Sequence, residues 1–255
     1  AVFMVDMAHI AGLVAGGVFT GDANPVEHAH VVTSTTHKTL RGPRGGIILC
    51  KKEFAEYVDK GCPLVIGGPL PHMIASKAVA FTEANTPAYR EYTAKIVENA
   101  RALAAACIDE GLTIATGGTD NHLMLINAAE SCGLTGRQAA GALYDCGITL
   151  NFNSLPFDPN GPLITSGLRL GTPAATTLGM GEVEMREIAA IIKLVLGGTQ
   201  AALLSSGPNA GKPSKRQYEL DEAVRDEARQ RTHALLERFP VYPELDLAFL
   251  ETQFG

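Results

Sequence analysis

No run in this 255-residue sequence approaches the roughly 20 consecutive apolar residues of a membrane-spanning helix, so no membrane partner is expected. Paired C-x-x-C motifs are also lacking. The five cysteines (Cys50, Cys62, Cys107, Cys132 and Cys146) are an odd set, mostly in apolar company, and read as reduced core thiols of an intracellular protein. Neither a disulfide framework nor a zinc site is indicated. Positive charge is not in excess either: the formal net charge is −6, and no basic stripe is interleaved with aromatics, which argues against a nucleic-acid partner. His28, His30, His72 and His122 are scattered without ligand spacing, so no metal is expected. Internal repeats and low-complexity tracts are absent. The chain opens on an apolar strand with neither an initiator methionine nor a targeting segment, and the expectation is a cytoplasmic protein truncated at its start.

What is present describes a globular chain. Hydrophobic residues make up 46% and charged residues 19%, enough to bury a sizeable core in one large domain or two modest ones. The first part reads as strand, crossover, strand, glycine turn and strand (Gly46 to Cys50), followed by a helical piece from Lys51 to Asp59 and an apolar segment from Pro63 to Ile66. Continuous apolar strands with helical connections predict an α/β fold with a mainly parallel sheet covered on both faces. Residues 1–88 are thus expected to form the end of a large doubly wound domain. From Thr86-Pro87, the residues Tyr92, Ile96, Ala100, Leu103 and Cys107 recur at helical spacing until Gly111 and predict a long connector. A smaller α/β C-terminal domain over 89–255 follows. Its expected strands are Leu112 to Ala115, His122 to Asn127 and Ile148 to Phe152, and its expected helices Thr135 to Asp145, Val183 to Leu196 and Leu220 to Arg238, with a polar loop at about 205–217.

The chemistry centres on Lys38 in Ser34-Thr35-Thr36-His37-Lys38-Thr39-Leu40-Arg41-Gly42-Pro43-Arg44-Gly45-Gly46. It follows the short run Val31, Val32, Thr33 and precedes a glycine-rich turn, the carboxyl end of a strand where α/β proteins place ligands. Backbone dipoles and the neighbouring cations Arg41 and Arg44 would disfavour the ammonium there and free the amine as a nucleophile, whose natural use is a Schiff base. Upstream, Val2-Phe3-Met4-Val5-Asp6 is an apolar strand ending in a carboxylate that cannot be buried cheaply without a cation. A crossover between Asp6 and Lys38 would bring both to one sheet edge. This is the pair a pyridoxal phosphate enzyme needs: a lysine for the cofactor aldehyde and an acid that keeps the pyridine nitrogen protonated. Taken singly, Lys38 also reads as a solvated lysine and Asp6 as a turn or helix cap.

Further candidates are less specific alone. Arg169, between Gly167 and Gly171 on an apolar strand, suits a bidentate grip on a carboxylate or a structural ion pair with one of the chain's own acids. Asn153 in a loop reads as a turn residue, and Gly67-Gly68-Pro69 as a turn. His9 and His37, near Asp6 and Lys38, read either as site residues or as oriented core imidazoles.

Together, the Asp6 to His9 stretch, the Ser34 to Gly46 run, Gly67-Gly68-Pro69 and Thr165-Ser166-Gly167-Leu168-Arg169-Leu170-Gly171-Thr172-Pro173 closely resemble the serine hydroxymethyltransferase family, specifically its C-terminal portion. The family pattern carries a long preceding segment, with a ring-stacking residue, much of the phosphate cup and a catalytic glutamate, that has no counterpart here. The resemblance implies pyridoxal-phosphate fold type I (aspartate aminotransferase-like). It implies interconversion of serine and glycine with tetrahydrofolate as one-carbon carrier, in a homodimer or tetramer. It implies Lys38 and Asp6 on the cofactor, His9 near the ring's phenolic oxygen, His37 beside the phosphate, Thr35 near the Schiff base and Arg44 stabilising that region. Gly67 and Gly68 would approach the phosphate of a neighbouring subunit. Arg169 would hold the substrate α-carboxylate and Asn153 the folate pterin. A threonine aldolase or an aminotransferase shares the Lys and Asp logic, and a non-catalytic dimerising remnant is the alternative from another class.

Overall fold

A computed structural model describes residues 1–254, the side chains of Leu247 and Phe254 apart. The chain divides into two compact units, Ala1–Val97 and Glu98–Gly255.

In the first unit, β1 (Met4–Asp6), β2 (Val31–Thr35) and β3 (Gly46–Cys50) form one sheet in the order β1-β2-β3. Between β1 and β2 lie α1 (Ala11–Ala15) and α2 (Pro25–His28); α3 (Ala55–Ile66), α4 (Pro71–Ala84) and the start of α5 (Pro87–Asp109) follow β3. β1 and β2 are parallel, as expected from the crossover between them. β3, however, pairs antiparallel to β2, so the sheet is mixed rather than mainly parallel. The connection 36–45 explains the departure: a parallel return needs a dozen or more residues, and the glycine-rich turn simply reverses the chain. Pro63–Ile66 is the last turn of α3 and extends no sheet. Met7, Ala11, Ala29, Val32 and Leu40 form one buried cluster, and Leu13, Ile96 and Val97 another.

The second unit holds a three-stranded antiparallel sheet, β4 (Leu123–Asn127), β5 (Asn151–Asn153) and β6 (Gly167–Gly171), with β6 central. Its helices are α6 (Ala128–Cys132), α7 (Gly136–Asp145), α8 (Pro173–Thr177) and α9 (Glu182–Gly197), followed by the hairpin β7 (Thr199–Leu203) and β8 (Pro213–Leu220), then α10 (Glu222–Arg238) and α11 (Leu247–Phe254). The core joins Ile126, Leu143, Leu168, Met185 and Ile192, all fully buried. A capping box opens α7, with Thr135 accepting from Gln138 N–H and Gln138 Oε1 accepting from Thr135 N–H.

Two expectations are corrected here. The strand expected at Leu112 to Ala115 reduces to one bridge, Ile114 to Ile126. Part of the supposed polar loop 205–217 is strand β8, whose mostly polar side chains hide its pleat because the two-stranded hairpin buries little beyond Ser214. Gln138 anchors it, its amide donating to the Ser214 and Gln217 carbonyls at 2.7 and 2.8 Å. Among the described residues, no helix is long and apolar enough to cross a membrane.

Candidate active site

Register sets the first part of the site. Asp6 lies directly opposite Thr33, so both side chains leave the same face of the sheet, and strand alternation puts Thr35 on that face too. Thr33 Oγ1 donates to Asp6 Oδ2 at 2.9 Å, and Ala8 N–H donates to Asp6 Oδ1 at 2.9 Å. The bond from Ala8, then that from Thr33, holds the carboxyl below its ordinary range against a smaller opposing effect of burial; the charges of Lys38 and His9 add to the lowering. The carboxylate is exposed, not enclosed, and two neutral donors satisfy it without a direct ion pair being required.

Lys38 stands three residues beyond the end of β2, exposed, on a braced turn. Arg41 N–H donates to the Lys38 carbonyl at 2.9 Å and Gly42 N–H to the Thr36 carbonyl at 2.7 Å, while buried Thr36 donates its hydroxyl to the Pro43 carbonyl at 2.6 Å. The adjacent Thr39 ties this turn to the segment after β1. Its hydroxyl donates to the His9 carbonyl at 2.8 Å and accepts from Gly12 N–H at 2.9 Å, and its carbonyl accepts from the Tyr89 hydroxyl at 2.7 Å. Burial pushes the Tyr89 hydroxyl up to about 12, so it remains a donor at physiological pH.

The other expected residues of this unit are placed as follows. Thr35 Oγ1 is buried with no hydrogen-bond partner among the described residues. His37 is half-buried and its Nδ1 accepts from Gly45 N–H at 3.3 Å. His9 is exposed beside Asp6, and Arg44 is exposed in the glycine turn. Gly67 and Gly68 follow α3, Gly67 at φ +75°, and a Cβ on either would meet nothing within 4 Å. Thr33, Thr39 and Tyr89 escape sequence reasoning. Thr33 looks like one more β-branched strand residue until the parallel register sets it against Asp6.

In the second unit, Arg169 and Asn153 line one open cleft of about 600 Å³, together with the 116–121 loop and Leu125. The pleat explains it: Leu168 and Leu170 point into the core, so Arg169 between them points out. Arg169 is therefore half-buried, less enclosed than its apolar strand suggests, and among the described residues no ion pair engages it. Asn153 Nδ2 donates to the Ser154 carbonyl at 2.8 Å.

These features define an α/β protein with a carboxylate at the carboxyl end of one strand and a lysine beyond the carboxyl end of its parallel neighbour, and an arginine cleft in a second unit. The family described as serine hydroxymethyltransferase matches residues 1–192, and the chain belongs to that family, which implies pyridoxal-phosphate fold type I. It is 60% identical over 254 residues to the serine hydroxymethyltransferase of Treponema pallidum (strain Nichols), an alignment covering 100% of this chain and 43% of that protein. Similar relatives of the same name are those of Salinispora tropica (55% identical; 97% of this chain, 51% of the relative) and Cutibacterium acnes (51% identical; 97% and 50%). The chain thus spans about half the length of the curated relatives it matches.

Proposed function

We propose that the polypeptide carrying this sequence interconverts serine and glycine, with tetrahydrofolate as one-carbon carrier. The observation that carries this reading is the convergence of Asp6 and Lys38: on neighbouring strand ends, close enough for the Lys38 charge to act on Asp6. The residues present fit pyridoxal phosphate. Thr35 Oγ1 is a buried polar atom with no partner among the described residues, Lys38 offers an exposed amine, and the Asp6 oxygens retain lone pairs beyond the bonds from Ala8 and Thr33. When bound, that cofactor supplies an electron-accepting ring and an aldehyde reactive toward amines.

The chain's own groups divide the work. Lys38 would hold the cofactor through its exposed amine. Asp6, whose ionised form is favoured further by its two donors, would hold a proton at the ring nitrogen. His9 faces the phenolic oxygen, His37 the phosphate, and Thr35 and Arg44 support the region around Lys38. Gly67 and Gly68 leave their backbone open to the phosphate of a neighbouring subunit, which makes the enzyme a homodimer, with a tetramer as the larger assembly. Arg169 grips the substrate carboxylate through its planar fork and Asn153 contacts the pterin. In this reading residues 1–88 end the large cofactor-binding domain, residues 89–255 form the small one, and the enzyme is cytoplasmic.

The test is one-carbon release from serine with and without tetrahydrofolate, in the wild type and in Asp6→Asn. Folate-dependent transfer, reduced by orders of magnitude in Asp6→Asn, is expected. Folate-independent cleavage that favours threonine over serine would replace this reading with an aldolase.

A further inference from the structure

The loop 154–166 joins the two strands that carry Asn153 and Arg169, and it is built around one carboxylate. Half-buried Asp158 accepts from Leu155 N–H at 3.1 Å and Ser166 N–H at 2.8 Å through Oδ2. Its Oδ1 accepts from Asn160 N–H at 2.9 Å and Ser166 Oγ at 2.7 Å. We propose that Asp158 is a positioning residue for the Asn153–Arg169 cleft, an inference that rests on the substrate reading above.

The geometry shows what the carboxylate restrains. Leu155 lies two residues after Asn153, and Ser166 immediately precedes β6, whose first residue Gly167 is paired with Asn153. Asp158 therefore clips together both ends of the loop at the point where the strands part. Its backbone would not hold this shape unaided: Phe157 and Thr165 have φ of +57° and +56°, and that region is unfavourable for a bulky aromatic and especially for a β-branched residue. Thr165 and Ser166 are 2% and 3% exposed, so the strained corner at Thr165 is locked in the interior, whereas Phe157 is fully exposed. Its carbonyls are used elsewhere, Ile164 and Thr165 accepting from Arg137 and Gly136 at the start of α7, and Ser166 from Ala129. With the clip released, the Asn153–Gly167 pairing is the first to fray, which shifts Asn153 on the edge strand β5 relative to Arg169, itself still paired with Leu125 on the other side of the central strand β6. An arginine fork tolerates little displacement before its bidentate contact is lost.

The test compares Asp158→Asn, Ser166→Ala, Asn153→Ala and Arg169→Lys with wild type in the full polypeptide. It reads KM for serine and tetrahydrofolate, kcat, the visible absorption of pyridoxal phosphate bound at Lys38, and amide exchange at residues 153–169. Asp158→Asn keeps the size of the side chain but replaces one acceptor oxygen with a donor facing donors. It is expected to raise KM on the order of tenfold with kcat within about twofold, because what is lost is substrate placement. Amide exchange at Leu155, Asn160 and Ser166 should quicken while the cofactor absorption is unchanged. Ser166→Ala removes one of the four bonds to Asp158, together with the bond the hydroxyl accepts from Asn160 Nδ2, and should shift KM in the same direction by less; if Asp158→Asn does not fold, this variant decides alone. A structural role only would lower the yield of folded enzyme and leave KM in place. Raised KM in Asn153→Ala and Arg169→Lys, with wild-type KM in both loop variants, overturns the positioning role and spares the substrate reading. Unmoved KM in Asn153→Ala and Arg169→Lys overturns the substrate reading and this role with it.

Discussion

Replacing Gly12 with alanine tests whether the Lys38 turn is held from behind. Within a helix such as α1, glycine to alanine ordinarily stabilises by about 1 kcal/mol. Here a Cβ would stand 2.3 Å from the Thr39 carbonyl oxygen, 2.4 Å from its carbon and 2.7 Å from its Cβ. Reaching normal contact requires roughly 1 Å of separation. Thr39 cannot yield freely, because it is fixed by bonds to Gly12 N–H, the His9 carbonyl and the Tyr89 hydroxyl. Overpacking costs about 1–3 kcal/mol and each of two lost bonds about 1, so the net destabilisation after the helix gain is about 2–4 kcal/mol. A shift of that size in the residue next to Lys38 should also slow borohydride-trapped labelling of Lys38 by pyridoxal phosphate, by up to about 100-fold. Urea unfolding and peptide mapping of the reduced label give the two readings. A variant that is as stable as wild type, or more so, and is labelled at the same rate would refute the close-packing argument.

Three more outcomes are expected. Lys38→Ala should abolish the visible absorption that develops on adding pyridoxal phosphate; a band of wild-type intensity in the variant would show another amine in that role. Glu187, held below the ordinary carboxylate range by the bidentate Arg231 contact (2.7 and 2.9 Å), Glu184, lowered first by Gly181 N–H, and Asp158, whose hydrogen bonds outweigh its burial, all have depressed values. Their stabilisation is complete above the unfolded value near about 4 and is lost as pH falls through the folded values. The urea midpoint should accordingly hold steady above that point and fall below it, less steeply in Glu187→Gln; an identical acid limb in that variant would remove Glu187 from the account. Finally, β1 is an open sheet edge, and Val2, Phe3 and Met4 are 60%, 53% and 58% exposed, with Leu64 and Val65 more so. The 255-residue chain purified alone should therefore self-associate, which sedimentation over a concentration series would detect, and a strictly monomeric profile would contradict this.

Much of the candidate site was legible in the sequence because it is written in local pattern. An apolar run ending in Asp6, a lysine before a glycine turn and an arginine inside Gly-Leu-Arg-Leu-Gly each announce a strand and its end without any partner being known. The α5 helix was readable for the same reason, its apolar spacing and its Thr86 cap being properties of one segment, with Tyr89 N–H donating to Thr86 Oγ1 at 3.2 Å. Pairing is different, since it depends on what lies alongside. The antiparallel return of β3 follows from the shortness of residues 36–45, and the polar β8 exists because β7 and α7 supply its partners. The same holds for the parallel register that gives Asp6 its Thr33 donor and for the Thr39 knot that braces Lys38. Asp158 is the clearest case: in sequence it is one acid in a turn-rich stretch, and only folding brings four donors onto its two oxygens. The identity of the chemical groups was thus determined by the sequence alone. Their satisfaction, exposure and orientation were decided by tertiary structure, because a hydrogen bond or a close contact requires two segments and a register between them.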